Sequence, residues 1–169
     1  VKEDKTVFYA EFPGGDPNNR LTEISVRPFC FFPRKTGIND ITVSGLTFCK
    51  VATQWAPPTA FQPAAVGPNW SKGWIIENCK IHDSKCCGVS LGKRADEKDN
   101  AWSKDPAKGG AQTYTETICL NIHNGWSKET IGGHIVRNNE IYNCGQAGIV
   151  GCMGGAFSDI IHNHIHHIN

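Results

Sequence analysis

Apolar residues along this chain recur in pairs of short β-type segments, five residues apart, with one polar or flexible residue between them. In the stretch from 133 to 148, Val136 and Ile141 flank Asn138, and Gly148 follows Ile141 by seven. The same spacing returns as Ile76, Asn78, Ile81 and Gly88, as Val43, Gly45 and Phe48, and as Ile160, His162 and Ile165. Each copy predicts a strand, a bend through a left-handed residue and a second strand. Ile141 and Ile165 lie 24 positions apart, a period that suits one turn of a solenoid. The pattern therefore predicts an all-β, right-handed parallel β-helix, a pectate-lyase-like solenoid of several rungs. A β-sandwich is the competing architecture, but hairpin turn dipeptides do not separate these strands as an antiparallel sheet requires. The repeated corner asparagines further predict amides stacked in register from rung to rung.

Outside this repeat the text changes. Thr6 to Phe12 and Leu21 to Arg27 alternate apolar and polar residues on either side of a Pro-Gly-Gly-Asp-Pro-Asn-Asn loop, which reads as an antiparallel hairpin. A lone hairpin is marginal in water, so residues 1–33 read as the end of a flanking β-sandwich-like region that leads into the coil. Residues 34–169 read as the coil itself. Two long loops interrupt it, a proline-rich one at 54–72 and a second at 93–131 with a short helix expected over 112–124. Trp-Ser-Lys occurs near the end of each, at Trp70 to Lys72 and Trp126 to Lys128. Loops leaving a coil at one corner stack on one side, which is usually the binding face. The last rung, 158–169, has no recognisable cap. A fragment is expected, its final rung covered by the rest of a parent polypeptide or by another copy, with a homo-oligomer possible.

Composition excludes several classes. With 17 basic and 16 acidic side chains the net charge is +1, so no strong field draws the chain to nucleic acid or to a membrane. No apolar run has the length of a transmembrane helix. The eight cysteines form no Cys-x-x-Cys pair, and adjacent Cys86 and Cys87 would point to opposite faces of a strand. They read as small buried fillers in the reduced state, with a disulfide as the alternative; reduced thiols lean toward a cytoplasmic location.

Among the carboxylates Asp83, Asp96, Glu97, Asp99, Glu116, Glu140 and Asp159, no two recur at equivalent positions of neighbouring rungs, so no acid/base pair is assigned. Asp96, Glu97 and Asp99 read as part of a solvated charged loop. His162, His164 and His166 would share one face of an extended segment, a spacing able to hold zinc. Their counterparts in earlier rungs are polar, among them Glu140 or Lys80 and Tyr142 or His82, so a solvated outward row is the preferred reading, and no metal or cofactor is expected. Aromatics point further. Trp55, Trp70, Trp74, Trp102 and Trp126 sit mostly in or beside the loops, where an indole suits the apolar C–H face of a sugar ring. For Trp74 and the Trp-Ser-Lys pair, fastening the loops to the coil is an equal reading. The substrate-binding candidates are Trp55, Gln146 and Asn69.

Longer strings carry a resemblance. Trp55-Ala-Pro-Pro-Thr, Gly67-Pro-Asn-Trp-Ser-Lys-Gly-Trp-Ile-Ile-Glu77, Gly125-Trp-Ser-Lys-Glu129, His134-Ile-Val-Arg-Asn-Asn, Ile141-Tyr-Asn-Cys-Gly-Gln146 and Asn163-His-Ile, with Asp16-Pro-Asn upstream, are similar to segments of the β-xylosidases of glycoside hydrolase family 120. The resemblance implies a right-handed β-helix beside a β-sandwich-like region. It also implies a retaining, exo-acting hydrolase of xylo-oligosaccharides with an Asp nucleophile and a Glu acid/base. The family's Leu-Trp-Leu-Asp-Trp-like, Phe-Val-Glu-Val-like and His-Glu segments do not occur in this chain, so no catalytic residue is assigned here, and residues 93–115 depart from the family pattern. A non-catalytic carbohydrate-binding β-helix is the alternative. A lyase is disfavoured, because neither calcium-binding acidic rows nor basic catalytic groups can be placed.

Overall fold

The computed structural model describes residues 7, 9–57, 59–98, 101 and 105–169. Its strands are β1 (Thr42–Ser44), β2 (Thr47–Val51), β3 (Ala64–Val66), β4 (Ile75–Glu77), β5 (Lys80–Ser84), β6 (Cys87–Ser90), β7 (Ile135–Arg137), β8 (Glu140–Cys144), β9 (Ala147–Val150), β10 (Asp159–Ile161) and β11 (His164–Ile168), with one α-helix among the described residues, α1 (Gly110–His123), and a single 3-10 turn at Pro17–Asn19. They assemble into three sheets, β1-β4-β7-β10, β2-β5-β8-β11 and β3-β6-β9. Every pairing between these strands is parallel. A parallel pair needs a crossover, and here the crossover is the rest of the turn through the other two sheets. The result is a β-helix-like coil. The parallel pairing of Ile76 with Val136 excludes the sandwich.

Register follows the expected repeat. Val43, Ile76, Val136 and Ile160 lie side by side, and so do Phe48, Ile81, Ile141 and Ile165. Alternation within β5 and β8 turns one set of side chains inward. Val43, Phe48, Ile76, Ile81, Val136 and Ile141 are buried in one cluster with Trp74, Val89 and Leu91. Each such side chain contributes roughly 1.5–3 kcal/mol of burial. Ile160, in register with these residues, is instead 51 % exposed. It packs beside Val136 in β7, and among the described residues no strand lies on its other side.

The bends have a definite cause. Gly45, Asn78, Asn138 and His162 all have positive φ, between 54° and 70°, a conformation that glycine and asparagine tolerate best. A second set of left-handed residues, Lys50, Asp83, Asn143 and His167, bends each turn again five residues later. His162 is therefore a corner and not the first member of an extended histidine row.

The amide ladder exists, but one residue beyond the corner. Asn139 is buried; its Oδ1 accepts from Cys79 N at 2.9 Å, and its Nδ2 donates to Ile76 O at 3.0 Å and Asn163 Oδ1 at 2.9 Å. Asn163 repeats the motif, accepting from Asn139 N and donating to Val136 O. These amides satisfy backbone groups that the bend takes out of the sheet ladder. At the far side of the coil, Gly88 and Gly148 permit close packing. A Cβ on Gly88 would stand 2.8 Å from Gly148 O, and one on Gly148 would stand 2.6 Å from Ile165 Cγ2.

Four further expectations are corrected. No strand forms among the described residues between 7 and 30; Tyr9, Leu21 and Val26 are 94 %, 91 % and 76 % exposed. An alternating segment without a sheet or core beside it has no apolar face to bury, and hairpin pairing alone is marginal. The loop at 54–72 is not free of regular structure, since β3 lies within it and pairs with β6. Nor do the two loops leave at one corner. The first departs between β2 and β3, the second between β6 and β7, so they flank the third sheet from adjacent corners. Cys86 and Cys87 do not diverge: their sulfurs lie 3.5 Å apart, because Cys86 sits in the bend before β6. All eight cysteines are free thiols. Among the described residues, no helix is long and apolar enough to cross a membrane.

Candidate functional site

The first loop is held to the coil by a set of directed hydrogen bonds. Thr53 Oγ1 bonds Ser84 Oγ at 3.1 Å and accepts from Cys86 N at 2.7 Å. Three residues on, Ala56 O accepts from Gln146 Nε2 at 2.8 Å and from Gln62 Nε2 at 3.2 Å. From the other side Thr117 Oγ1 on α1 donates to Thr59 O at 3.2 Å. Each bond satisfies a loop carbonyl or hydroxyl. Their joint effect is to fix the backbone on both sides of Trp55 and leave the indole outside.

Trp55 is 67 % exposed. It stands at the rim of a cleft of about 450 Å³ whose walls include Val26, Phe29, Ala52, Gln54, Phe61 and Pro63. Phe29 stacks on Phe32, with ring centroids 5.0 Å apart, and Phe32 meets Phe61 edge-on at 5.9 Å. An apolar aromatic floor beneath a projecting indole, with the Gln54 amide at its edge, has the mixed character of a sugar site. A second cleft of about 430 Å³ lies across the loop, between Gln62, Tyr114 of α1, Gln146 and Val150.

The three candidate residues therefore separate. Trp55 and Gln146 meet at the same loop, one as its exposed face and the other as its brace. Gln146 Oε1 also contacts the Cys86 thiol. Asn69 belongs elsewhere: it has φ 52°, and its Nδ2 donates to Pro33 O at 2.8 Å, so its amide ties the end of the first loop to the segment that enters the coil. Phe29 and Phe61 were not among the candidates. Phe29 lies in the stretch read as a flanking region, and Phe61 lies among prolines, so neither carried a periodic signal.

The other tryptophans fasten structure. Trp74 is fully buried and donates from Nε1 to Ile38 O at 2.6 Å. Trp70 is buried, and Trp126 Nε1 donates to Met153 O at 3.0 Å. The two Trp-Ser-Lys segments are joined, because Lys72 Nζ donates to Lys128 O and Glu129 O. Trp102 lies outside the described residues.

Several of the candidate carboxylates are engaged in structure. Glu77 pairs with Arg137 at 2.7 Å and Glu140 with Lys80 at 2.9 Å. Asp96 accepts from Lys98 N and from Asn124 Nδ2 at the end of α1, so that segment is tied down and not simply solvated; Lys93 and Glu116 are buried, and Asp99 lies outside the described residues. Hydrogen bonding from His82 and then Asn143 holds the Asp83 carboxyl below the usual range, the Lys98 backbone does so for Asp96, and Lys80 for Glu140. A glycosidase acid needs the opposite shift. Among the described residues, no carboxylate lines the cleft under Trp55.

A solved structure, the complex of XylC with xylose, superposes on this chain with a TM-score of 0.87 and 54 % sequence identity. The resemblance is to the β-xylosidases of glycoside hydrolase family 120. It covers 93 % of this chain, while the chain spans 25 % of the length of XylC. The family 120 likeness thus takes in nearly all of the coil and its loops. No protein-family model and no curated protein matches the chain.

Proposed function

We propose that this chain is part of a retaining, exo-acting β-xylosidase that hydrolyses xylo-oligosaccharides, and that it supplies a wall of the sugar site. In this reading the coil is right-handed and residues 1–33 are the end of a flanking β-sandwich-like region. The observation that carries the proposal is the 54 % identity, at a TM-score of 0.87, to a protein whose structure holds xylose. The cleft adds chemical support. Trp55 offers an exposed indole for stacking on a pyranose face, and Gln146 contributes at one remove by bracing the loop at Ala56 O.

Retention requires two carboxyl groups about 5–5.5 Å apart, one attacking the anomeric carbon and one moving the proton. The lowered carboxyls described above are held in structural bonds, and the family's nucleophile and acid/base segments do not occur in this chain; in this account both groups therefore come from outside it. The test is turnover of a chromogenic β-xyloside by this chain alone and by a full-length protein containing it, with the product anomer followed by NMR. The proposal expects no turnover from the chain alone and hydrolysis with net retention from the full-length protein. Turnover by the chain alone, or an inverted product, overturns it. A non-catalytic carbohydrate-binding coil is favoured by one fact, the absence of any carboxylate among the described residues that line the cleft. A full-length protein that binds xylose without hydrolysing xylosides would establish that reading.

A further inference from the structure

The outer face of the second sheet carries an arrangement that the sugar site does not use. Residue pairing brings Lys80, Glu140 and His164 side by side across β5, β8 and β11, and His82, Tyr142 and His166 two positions on. The second row is a stack of rings: His82 on Tyr142 at 4.8 Å and 5°, then Tyr142 on His166 at 5.0 Å and 6°. His166 is thereby held in orientation. Its Nδ1 meets His167 Nδ1 at 2.5 Å, and its Nε2 is buried and has no hydrogen-bond partner. That nitrogen faces Glu140 Oε1 at 3.7 Å, while Glu140 Oε2 accepts from Lys80. His164 lies beside it, ring centroid 4.5 Å from that of His166. One ligand atom from each of Glu140, His164 and His166 falls within 4.8 Å of the others.

We propose that Glu140, His164 and His166 form a site for a divalent transition-metal ion of the zinc class, bridging β8 and β11. Two imidazoles and a carboxylate are a known three-ligand zinc set, leaving one position for water. With metal–ligand distances near 2.0–2.2 Å, tetrahedral ligand atoms stand about 3.3 Å apart. The present spacing closes to that by side-chain rotation alone, since the two histidines are i and i+2 on one strand and Glu140 is the direct cross-strand neighbour of His164. The surrounding contacts supply the outer shell that metal ligands need. The Tyr142 stack sets the ring plane of His166. A proton on Nδ1, donated to His167 Nδ1, leaves Nε2 with its lone pair for the ion. Lys80 holds one carboxylate oxygen and leaves Oε1 to the metal. Bound there, the ion would pin the turn ending in β11 to the turn before it.

The experiment is titration of the purified protein with Zn2+ by calorimetry and with Co2+ by absorption spectroscopy, for the native sequence and for Glu140→Gln, His164→Gln and His166→Phe. The phenyl ring preserves the stack on Tyr142, and each variant's far-ultraviolet dichroism reports its fold. His162→Gln is the control, because His162 forms the corner outside the cluster. The expected result is one ion per chain, a cobalt spectrum without thiolate charge transfer, at least tenfold weaker binding in each of the three variants, and no change in the control. Absence of stoichiometric binding overturns the proposal. So does a thiolate band, or binding that all three substitutions leave intact.

Discussion

The coil corners and the loop that carries Trp55 solve the same problem by different means. At every corner a left-handed residue turns the chain, and inward amides at 139 and 163 satisfy the backbone at that bend from rung to rung. The loop at 54–63 has no such repeat. It is held by single bonds from residues far apart in sequence, Gln146, Gln62 and Thr117. Repetition makes the corners rigid and shared among turns, whereas the loop can be changed one bond at a time. This division places stability in the coil and, under the proposed function, recognition in the loop.

The largest expected difference lies between two adjacent asparagines. Asn139→Ala strands Cys79 N and Ile76 O in the buried bend and should cost about 2–4 kcal/mol. Asn138→Ala loses chiefly the tolerance for positive φ and should cost about 1–2 kcal/mol. Urea unfolding of the two variants measures both. Equal losses, or a larger loss for Asn138→Ala, would break the assignment of the ladder to position 139.

How much of this was legible follows from the same contrast. The corners could be read because strand, bend and strand recur at fixed spacing, and Gly45, Asn78 and Asn138 are residue types suited to positive φ. The ladder could not, because its positions read Leu46, Cys79, Asn139 and Asn163, and only the last two carry an amide. β3 was hidden because Ala64–Val66 is three residues long between Pro63 and Pro68; its pairing with β6 defines it, not its own pattern. In the loop, Trp55 was legible as an aromatic outside the core stripe, and Gln146 as a corner residue. Its actual partner, Ala56 O, is ninety positions away. Phe29 and Phe61 gave no signal because a cleft wall assembled from two non-repeating segments has no period.

A second prediction concerns pH and separates the coil from its surface. His134 is buried where the coil resumes after the second loop, and its Nδ1 accepts from Trp74 N at 3.1 Å. Burial lowers its pKa to about 4, opposed in part by the Gly154 backbone. The unfolded chain, with a histidine pKa near 6.5, binds the proton more readily than the fold does. Stability from this residue is therefore complete above about pH 6.5 and is lost as pH falls toward about 4, by up to about 3 kcal/mol. Unfolding midpoints for the native chain and His134→Asn across that range check it. The variant should start less stable and show a shallower loss; parallel curves would remove His134 as the source.

The smallest effect on stability is expected in the loop. Gln146→Ala removes the bond to Ala56 O, which also accepts from Gln62, so unfolding should shift by no more than about 1 kcal/mol. Amide exchange at residues 54–56 should accelerate while that of Ile81 and Ile141 is unchanged. A global loss comparable with that of Asn139→Ala would show that the loop and the coil are not separable.

The most direct test of the central claim is the steady-state kinetics of Trp55→Ala in a full-length protein containing this chain, measured on a chromogenic β-xyloside. Loss of one aromatic stacking contact should lower kcat/KM by roughly tenfold or more, on the order of 1.4 kcal/mol or above. The unfolding midpoint should stay within about 0.5 kcal/mol of the parent, as for an exposed side chain. An unchanged kcat/KM would take Trp55, and with it the loop that Gln146 braces, out of the sugar site.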